Sequence, residues 1–286
     1  MKTALVTGAN GFIGSALTKS LEQGNFKVLK FDLDEGDIAE TGFIERYKKA
    51  RIDYVFHLAG KTFVPDSWEK PVEFYKTAVL GTAQVLDLCR DKRIPLTFIS
   101  AYLYGIQPAS CISESNKCKP NNPYAHSKYL AEELCRFYSM YYKTKVVIVR
   151  PFNVYGKNHN SVFLIPHIIK QVLECKTISV KDLKPRRDYL YLDDLISGIV
   201  KTINVKASFS IFNFGSGKSL SVEEIIEIIQ KVAGTNKQVQ SEKKERENEI
   251  ADVVADISKA KKELNWRPKF SFKQGIAEIL KEEFGE

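Results

Sequence analysis

The stretch TGANGFIG, residues 7–14, decides the fold because it joins the strand-like run KTALVT to a helix-like run. Its three glycines follow the spacing G-x-x-G-x-x-G. Glycine is needed where the backbone turns tightly, approaches a diphosphate closely, and lets a helix pack against a strand. The first turn of the helix then offers free N–H groups and a partial positive charge to phosphate. The stretch predicts the phosphate-binding turn of a dinucleotide site, with an ordinary strand-to-helix turn as the alternative.

Apolar strand-like runs alternate with helix-like runs through the first 150 residues. The strand-like runs are Lys2–Thr7, Lys27–Phe31, Asp53–His57, Pro95–Ser100 and Lys145–Arg150. The helix-like runs between them are Gly11–Gln23, Thr41–Ala50, Pro71–Lys92 and Pro123–Tyr142. Such alternation indicates parallel crossovers, which are right-handed and place helices on both faces of the sheet. The predicted fold class is therefore α/β, with a doubly wound parallel sheet.

The pattern changes after Arg150, where the predicted elements become shorter and less regular. The chain has 286 residues, the length of about two average domains. We predict a dinucleotide-binding domain over residues 1–155. Residues 156–286 are predicted to form mainly a smaller, C-terminal substrate-binding lobe, from which some segments return to the first domain.

The composition excludes several classes of protein. With 44% hydrophobic and 27% charged residues, the chain is typical of neither disordered nor disulfide-dense proteins. The five cysteines contain no C-x-x-C pair and the four histidines are scattered, so we expect no metal site. No apolar run is long enough to span a bilayer, and the N-terminus does not resemble a signal peptide, so a cytoplasmic protein is expected. The net charge of +8 lacks a basic tail, which disfavours nucleic acid and suits a small anionic substrate.

An acidic residue, Asp32, ends the second strand-like run. A carboxylate at this position can accept hydrogen bonds from the ribose hydroxyls of a dinucleotide, and it repels an additional 2′-phosphate. Asp34, Glu35 and Asp37 make the segment more acidic, although Asp34 and Glu35 are better explained as solvated loop charges. The segment favours NAD(H) over NADP(H).

Tyr124 and Lys128 form a Y-x-x-x-K pair at the start of a predicted helix, where the spacing of four places them on one face. A phenol with an ordinary pKa near about 10 is a poor proton carrier at neutral pH. We expect the neighbouring ammonium to lower the pKa of Tyr124, which could then act as a general acid or base. Ser100 ends a parallel strand, where α/β sheets place ligands, and could orient the same substrate oxygen. A surface Tyr–Lys pair without function is the alternative.

In combination, these features resemble the extended short-chain dehydrogenases/reductases, and more narrowly the nucleotide-sugar epimerase/dehydratase/reductase family. The resemblance covers nearly the whole chain, through an ordered series of short motifs. They are TGANGFIG (7–14), HLAG (57–60), GT (81–82), SAYLYG (100–105), PYAHSK (123–128), RPFNVYG (150–156), RRDYLYLDD (186–194), FNFGSGKSLSV (212–222) and LNWRP (264–268). The resemblance implies a Rossmann-like fold, a nicotinamide cofactor and a nucleotide-diphosphate sugar as substrate.

The resemblance also implies roles for single residues. Ser100, Tyr124 and Lys128 would be the catalytic residues, and Lys128 would also hold the nicotinamide ribose. The residues that would contact the cofactor are Gly8, Asn10, Gly11, Phe12, Ile13, Gly14, Asp32, Asp37, Ile38, Leu58, Ala59, Gly60 and Lys128.

Three further residues are implied on the substrate side, together with a partner surface. Asn153 would contact the sugar nucleotide, while Arg187 and Arg246 would bind its diphosphate, a task suited to the guanidinium fork. For Arg246, a solvated charge in a polar loop is the alternative. Members of the family commonly form homodimers through a four-helix bundle, for which Phe137 and Tyr141 are candidate contacts, with core packing as the alternative.

The chain departs from the family pattern at three places. Family dehydratases carry an acidic pair after the catalytic Ser or Thr, where this chain has Ala101 and Tyr102. No carboxylic acid is then placed to expel a C6 hydroxyl, which disfavours a 4,6-dehydratase. Ala78 replaces a frequent Asn, which puts one active-site contact in doubt. The segment between Asp32 and Asp53 is short, so we expect an outer strand of the sheet to be missing or vestigial.

Three functions remain open at this point. We favour a reductase that acts on the C4 ketone of an NDP-4-keto-6-deoxyhexose, because the compact length and the shortened adenosine edge look like the family's ketoreductases. The acidic end of the second strand instead looks like an NAD-dependent 4-epimerase. A cofactor-binding regulator without turnover is the third reading, which the presence of both Tyr124 and Lys128 disfavours.

Overall fold

The computed structural model describes residues 1–243 and 250–283 of the chain. The strands are β1 (Lys2–Thr7), β2 (Phe26–Phe31), β3 (Tyr54–His57), β4 (Leu96–Ile99), β5 (Cys111–Ile112), β6 (Val146–Pro151), β7 (Asn153–Tyr155), β8 (Thr177–Val180), β9 (Arg186–Tyr191), β10 (Phe209–Phe214), β11 (Ser219–Ser221), β12 (Gln238–Ser241) and β13 (Val254–Ala255). The α-helices are α1 (Phe12–Gln23), α2 (Gly42–Tyr47), α3 (Val64–Glu69), α4 (Pro71–Tyr75), α5 (Gly81–Lys92), α6 (Pro123–Tyr142), α7 (Leu164–Glu174), α8 (Leu192–Lys201), α9 (Val222–Ala233), α10 (Ser258–Leu264) and α11 (Phe272–Glu283). Within these residues, the search for a helix long and apolar enough to cross a bilayer finds none.

Six parallel strands form the main sheet in the order β10-β6-β4-β3-β1-β2. The chain runs outward from β1 to β2 on one side and from β3 through β4 and β6 to β10 on the other. This confirms the predicted doubly wound fold, and the strand order reverses between β1 and β3. Ligands of such sheets bind in the crevice outside the carboxyl ends of the strands at this point.

Side chains alternate between two cores on opposite faces of this sheet. In β1, Ala4 and Val6 belong to one core, and Leu5 belongs to the other. The first core is closed by α1 and α8, and the second by α5 and α6. Every residue of β3, β4 and β6 is buried, as expected for parallel strands covered on both faces. Rigid packing on both sides holds the carboxyl ends of the strands in place.

The strand β2 lies at one end of the described sheet. It pairs with β1 over its full length, and the chain then passes through a short 3₁₀ turn, Leu33–Glu35, into α2. No other strand of the described residues pairs with β2, so the predicted loss of an outer strand is confirmed. The adenosine side of a dinucleotide would therefore be covered only by the segment that follows β2.

The second lobe is built around β9, which pairs with β7 and β11, and around the separate pair β8–β12. Helices α7, α9 and α11 cover it, with a core that contains Ile168, Ile225 and Ile276. The strand β10 follows much of this lobe in the chain but pairs with β6 in the main sheet. A domain boundary near residue 155 stays a prediction.

The predicted helix Pro71–Lys92 is interrupted in the structure. Between α4 and α5 the chain makes a π-helical turn at Lys76–Leu80. Such turns occur frequently at functional sites. At the end of this turn Gly81 packs tightly on Ile38, since a Cβ on Gly81 would lie 2.7 Å from the Ile38 Cγ2 atom.

Candidate active site

A cavity of about 1180 Å³ lies along the carboxyl ends of the main strands. Its walls come from both parts of the chain, with Gly8, Ser100 and Tyr124 on one side and Asn153 and Phe163 on the other. The cavity occupies the crevice expected at the reversal of strand order. It is the candidate active site.

The glycine turn forms one end of this cavity and fits a diphosphate. Gly8 has a φ of +69°, and a Cβ there would lie 2.7 Å from the Ala59 nitrogen. A Cβ on Gly14 would overlap the Gly8 carbonyl. No side chain caps α1 at its N-cap Gly11, and its first turn contains no acidic residue. The first-turn N–H groups are thus left for an anionic ligand. Gly8, Gly11, Phe12, Ile13 and Gly14 all line the cavity.

Asp32 stands beside this turn and is fixed by backbone N–H groups. Its Oδ2 atom accepts a hydrogen bond from the Asn10 N–H at 2.7 Å, and its Oδ1 atom accepts one from the Leu33 N–H at 2.8 Å. Glu35 completes a capping box by accepting from the Asp32 N–H at 2.7 Å. Asp32 lines the cavity whereas Asn10 does not. Asn10 therefore orients Asp32, and its predicted direct contact with a cofactor stays a prediction.

Asp37 and Ile38 lie further along the same end of the cavity. Lys76 donates to Asp37 at 2.9 Å and to Glu40 at 2.8 Å. Hydrogen bonds from the Ala39 N–H and then from Lys76 lower the pKa of Asp37, so its carboxylate stays charged. Together with Asp32, these groups make the adenosine end acidic.

The loop after β3 forms the floor of the cavity with Leu58, Ala59 and Gly60. The Leu58 and Ala59 N–H groups both donate to the Thr7 hydroxyl, at 3.3 Å. The buried His57 ring is hydrogen-bonded through Nδ1 to the Thr7 hydroxyl at 2.7 Å and through Nε2 to the Thr82 hydroxyl at 3.0 Å. Burial lowers the pKa of His57 to about 3. Both ring nitrogens are therefore engaged, and the imidazole is an internal brace of this floor.

Tyr124 and Lys128 lie one turn apart on α6 and both line the cavity. The Asn122 side chain caps this helix by accepting from the Ala125 N–H at 2.8 Å. Ser100 follows β4 and is held through its N–H, which donates to the Val149 carbonyl at 2.8 Å. The Ser100 side chain is buried, and its Oγ atom has no hydrogen-bond partner among the described residues. The structure thus brings together the three predicted catalytic residues and leaves one hydroxyl for a ligand.

The Lys128 ammonium is buried between the ends of β3 and β4. It donates to the Ile99 carbonyl at 3.0 Å and lies 4.9 Å from the centre of the Phe98 ring. A Cβ on Gly60 would lie 3.1 Å from its Nζ atom. Burial lowers the pKa of Lys128 from 10.5 to about 8, so most of the ammonium groups remain charged at pH 7.

Burial also raises the pKa of Tyr124 to about 12. The expected lowering by Lys128 is wrong for this state of the protein. The ammonium is bonded to the Ile99 carbonyl, and the loss of hydration around the phenol dominates the balance. Tyr124 therefore carries its proton at neutral pH.

A buried ion pair supports α6 one turn beyond Lys128. Arg150 donates from Nε to Glu132 at 2.9 Å and from Nη1 to the Tyr104 hydroxyl at 2.9 Å. Tyr104 in turn donates to Asn213 at 2.6 Å. This network ties the catalytic helix to β6, β10 and the segment after Ser100. The relative positions of Ser100 and Lys128 are thereby fixed.

Ala101 and Tyr102 occupy the positions after Ser100, and both line the cavity. The Tyr102 hydroxyl donates to the Gly105 carbonyl at 2.6 Å, and burial raises its pKa to about 12. Neither residue brings a carboxylic acid to the site. Ala78, where the family often has Asn, is buried and does not line the cavity.

The three predicted substrate residues have different positions. Asn153 lines the cavity and donates to the Asp188 carbonyl at 3.1 Å. Arg187 does not line the cavity, but it donates to the carbonyl of Ile250, a residue that does. Arg246 lies outside the described residues. The substrate roles of all three stay predictions.

A set of aromatic rings at the cavity was not anticipated from the sequence. The His159 ring stacks on Phe12, with ring centres 4.1 Å apart, and on Phe163, with ring centres 4.4 Å apart. The Phe163 and Phe63 rings also pack edge to face, with ring centres 6.0 Å apart. All four rings line the cavity. The scattered histidines and phenylalanines of the sequence give no local signal for this arrangement.

The far end of α6 presents apolar side chains to solvent. Phe137 is 49% exposed and Tyr141 is 63% exposed, and their rings lie 4.7 Å apart. The alternative of core packing is thus wrong for both residues. A homodimer that uses this surface stays a prediction.

The chain is similar to known proteins over most of its length. Residues 4–215 match the NAD dependent epimerase/dehydratase family. A GDP-6-deoxy-D-talose 4-dehydrogenase from Aggregatibacter actinomycetemcomitans is 32% identical over 89% of this chain and 88% of its own length. The crystal structure of the UDP-glucose 4-epimerase of Thermus thermophilus with NAD is 26% identical, covers 99% of each chain and superposes with a TM-score of 0.88. The structure of RMD from Pseudomonas aeruginosa with NADPH is 25% identical and covers 98% of this chain and 96% of its own chain. It also superposes with a TM-score of 0.88.

Proposed function

The chain belongs to the NAD dependent epimerase/dehydratase family, and we propose that it reduces the C4 ketone of an NDP-4-keto-6-deoxyhexose. At a coarser level it is a nucleotide-sugar oxidoreductase or epimerase that uses a nicotinamide cofactor. The observation that carries the proposal is the group formed by Ser100, Tyr124 and Lys128 in one cavity, followed by Ala101 and Tyr102. The site can therefore move a proton at a sugar oxygen but has no carboxylic acid after Ser100 to eliminate water.

The residues of the chain account for the proton in this reaction. Reduction of a ketone to an alcohol takes up one hydride and one proton, and a bound reduced nicotinamide supplies the hydride. Tyr124 holds the proton and gives it to the carbonyl oxygen as a general acid. The unpartnered Ser100 hydroxyl donates to the same oxygen and orients it. Lys128 lies one turn further along α6 in the same cavity, and solvent then returns the proton to Tyr124.

Two features of the cleft favour a reductase over an epimerase. A reductase begins with a protonated Tyr124, and the raised pKa of this phenol keeps it protonated at neutral pH. An epimerase instead needs a base at this position for its first step, the oxidation of a sugar hydroxyl. The adenosine end is also open, since Leu33 lines the cavity and is 83% exposed. An open end suits a cofactor that leaves after every turnover.

We propose NAD(H) as the preferred cofactor. Asp32 is held rigidly at the cavity, and Asp34 lies close enough for the Asn10 side chain to donate to it at 3.4 Å. Nearby cations are engaged elsewhere, since Arg46 donates to the Glu35 carbonyl and Lys76 to Asp37. A 2′-phosphate would thus meet carboxylates in place of free cations.

A 4-epimerase is the second candidate function. Its support is the same fixed Asp32, because a carboxylate bonded to the adenosine ribose would help to retain NAD between turnovers. The similarity to the Thermus thermophilus 4-epimerase with NAD is consistent with it.

Purified protein separates the two candidates. A panel of NDP-4-keto-6-deoxyhexoses with guanosine, uridine and thymidine as nucleoside is offered together with NADH, and the absorbance of NADH is followed. We expect stoichiometric NADH oxidation with at least one member of the panel. Tightly bound NAD without net NADH consumption, combined with interconversion of UDP-hexose epimers, would instead establish the epimerase.

A further inference from the structure

Two buried side-chain polar atoms at the cavity have no hydrogen-bond partner among the described residues. They are the Ser100 Oγ atom and the His159 Nδ1 atom. Buried polar atoms are nearly always paired, with protein or with a bound molecule. Ser100 is already explained as a group that waits for the substrate oxygen. His159 has the same property and no assigned role.

The His159 ring is held in a fixed orientation between two other rings. It lies nearly parallel to Phe12, with an angle of 8° between the rings, and at 22° to Phe163. His159 follows β7, whereas Phe12 belongs to the glycine turn, so the ring bridges the two sides of the cleft. The two stacks fix the plane of the ring and leave its nitrogen atoms at the ring edge.

The position of Phe12 indicates the ligand chemistry that this nitrogen meets. Phe12 is the first residue of α1, where the uncapped N–H groups fit a diphosphate. Its ring also packs close to Gly156, the residue that opens the segment leading to His159. Burial lowers the pKa of His159 to about 4, so the imidazole is neutral and can carry its single proton on Nδ1. A neutral N–H donor beside a phosphate site makes a charge-assisted hydrogen bond to an oxygen.

We propose that His159 is a ligand-binding residue which reaches across the cleft and donates from Nδ1 to an oxygen of a bound diphosphate. A dinucleotide and a nucleotide sugar both carry such a group. The inference rests on the proposed function only because it assumes that ligands with a diphosphate enter this cavity. It adds a residue that couples the glycine turn to the segment after β7.

Binding measurements with two ligands test the inference and distinguish the two sources of diphosphate. The full-length protein, freed of retained nucleotide, is titrated with NADH by fluorescence and, separately, with UDP and GDP by calorimetry. His159→Phe keeps an aromatic ring in the stack but removes the nitrogen. His159→Asn places an amide N–H near the position of Nδ1. His167→Phe is the matched control, because His167 is exposed on α7 and does not line the cavity.

We expect His159→Phe to bind at least one of these ligands about ten-fold more weakly, the loss of one hydrogen bond to a charged group. His159→Asn should recover part of the affinity, and His167→Phe should match the wild type. A loss for NADH alone assigns the nitrogen to the dinucleotide, and a loss for UDP or GDP alone assigns it to the nucleotide sugar. Both results support the inference.

Two results would overturn it. The first is unchanged affinity of His159→Phe for NADH, UDP and GDP. The second is an equal loss of affinity in His159→Phe and in the control His167→Phe, which would mean that the loss does not come from the His159 nitrogen. Wild-type protein that binds none of the ligands would contradict the proposed function itself, and the inference with it. If the inference fails while the proposed function holds, the wild-type protein still binds these ligands.

Discussion

The catalytic and adenosine ends of the cleft differ in how they hold their functional groups. At the catalytic end, Ser100 and Lys128 are each only 4% exposed, and their positions are fixed by β4, β6 and the buried network below α6. At the adenosine end, Asp32 and Leu33 lie on a short turn at the sheet edge, where Asp32 is partly exposed and Leu33 is largely exposed. Burial shifts the pKa values at the first end strongly, to about 8 for Lys128 and about 12 for Tyr124. One end of the cavity is thus buried and desolvated, whereas the other is open to solvent.

The largest expected effect follows from removal of the catalytic proton. Tyr124→Phe should reduce kcat by about 10³-fold, within the range of general acid catalysis, and leave NADH affinity unchanged. Steady-state kinetics on a reducible nucleotide sugar and an NADH titration provide the two readouts. Tyr141→Phe, at the exposed end of the same helix, should behave as the wild type. Full activity of Tyr124→Phe would remove this residue from the mechanism.

An intermediate effect is expected from the buried cation. Lys128→Met should lower kcat/KM by about 10²-fold. It should also raise the free energy of unfolding at pH 7 by up to about 3 kcal/mol, because burial lowers the pKa of Lys128 from 10.5 to about 8 and so makes the buried charge costly. Urea unfolding measures the second quantity. Lys117→Met, an exposed substitution, is the control. Loss of stability in Lys128→Met would show that its bond to the Ile99 carbonyl outweighs the cost of burial.

The same cation predicts a dependence of stability on pH. Between pH 8 and 10.5 the unfolded chain binds the Lys128 proton more tightly than the folded protein does, so stability due to this group rises with pH in that window. The slope approaches about 1.4 kcal/mol per pH unit. Lys128→Met should lack this rise when the two proteins are unfolded in urea at pH 8 and pH 10.

The smallest effect is expected at the open end. Asp32→Asn keeps an oxygen that can accept from Leu33 or Asn10 but removes the charge. We expect the preference for NADH over NADPH, measured as the ratio of kcat/KM values, to fall by about ten-fold, since a 2′-phosphate no longer meets this carboxylate. Melting temperature and kcat with NADH should change little. Asp34→Asn is the neighbouring control, and an equal change in both variants would assign the preference to the general acidity of the segment.

Much of the architecture was predictable because its signals are local. The glycine turn and the alternation of apolar strands with helices each lie within a few tens of residues, and they fixed the order and type of the main elements. The missing outer strand was visible as a short distance between Asp32 and Asp53. Its confirmation by the position of β2 shows that a deletion can be placed in a sheet when the length of one segment is compared with the family pattern.

Other properties were not predictable because they depend on contacts between distant segments. The stack of Phe12 on His159 requires two loops 147 positions apart to meet across the cleft. The direction of the Tyr124 pKa shift depends on whether the effect of burial or that of the Lys128 charge is larger. The Y-x-x-x-K spacing does not tell which of the two effects is larger. The π-helical turn at Lys76–Leu80 likewise cannot be recognised from the amphipathic pattern of the sequence.

The terminal position of β2 also bears on how separate molecules avoid each other. A free strand edge is a template for intermolecular pairing and aggregation. Here Lys27 and Lys30 place exposed charges along that edge, and the Tyr47 hydroxyl donates to the Lys30 carbonyl at 2.8 Å. A chain that has lost its outermost strand thus shields the newly exposed backbone with two charges and one phenol. The end position of β2 in the sheet is thus accompanied by groups that cover part of its free edge.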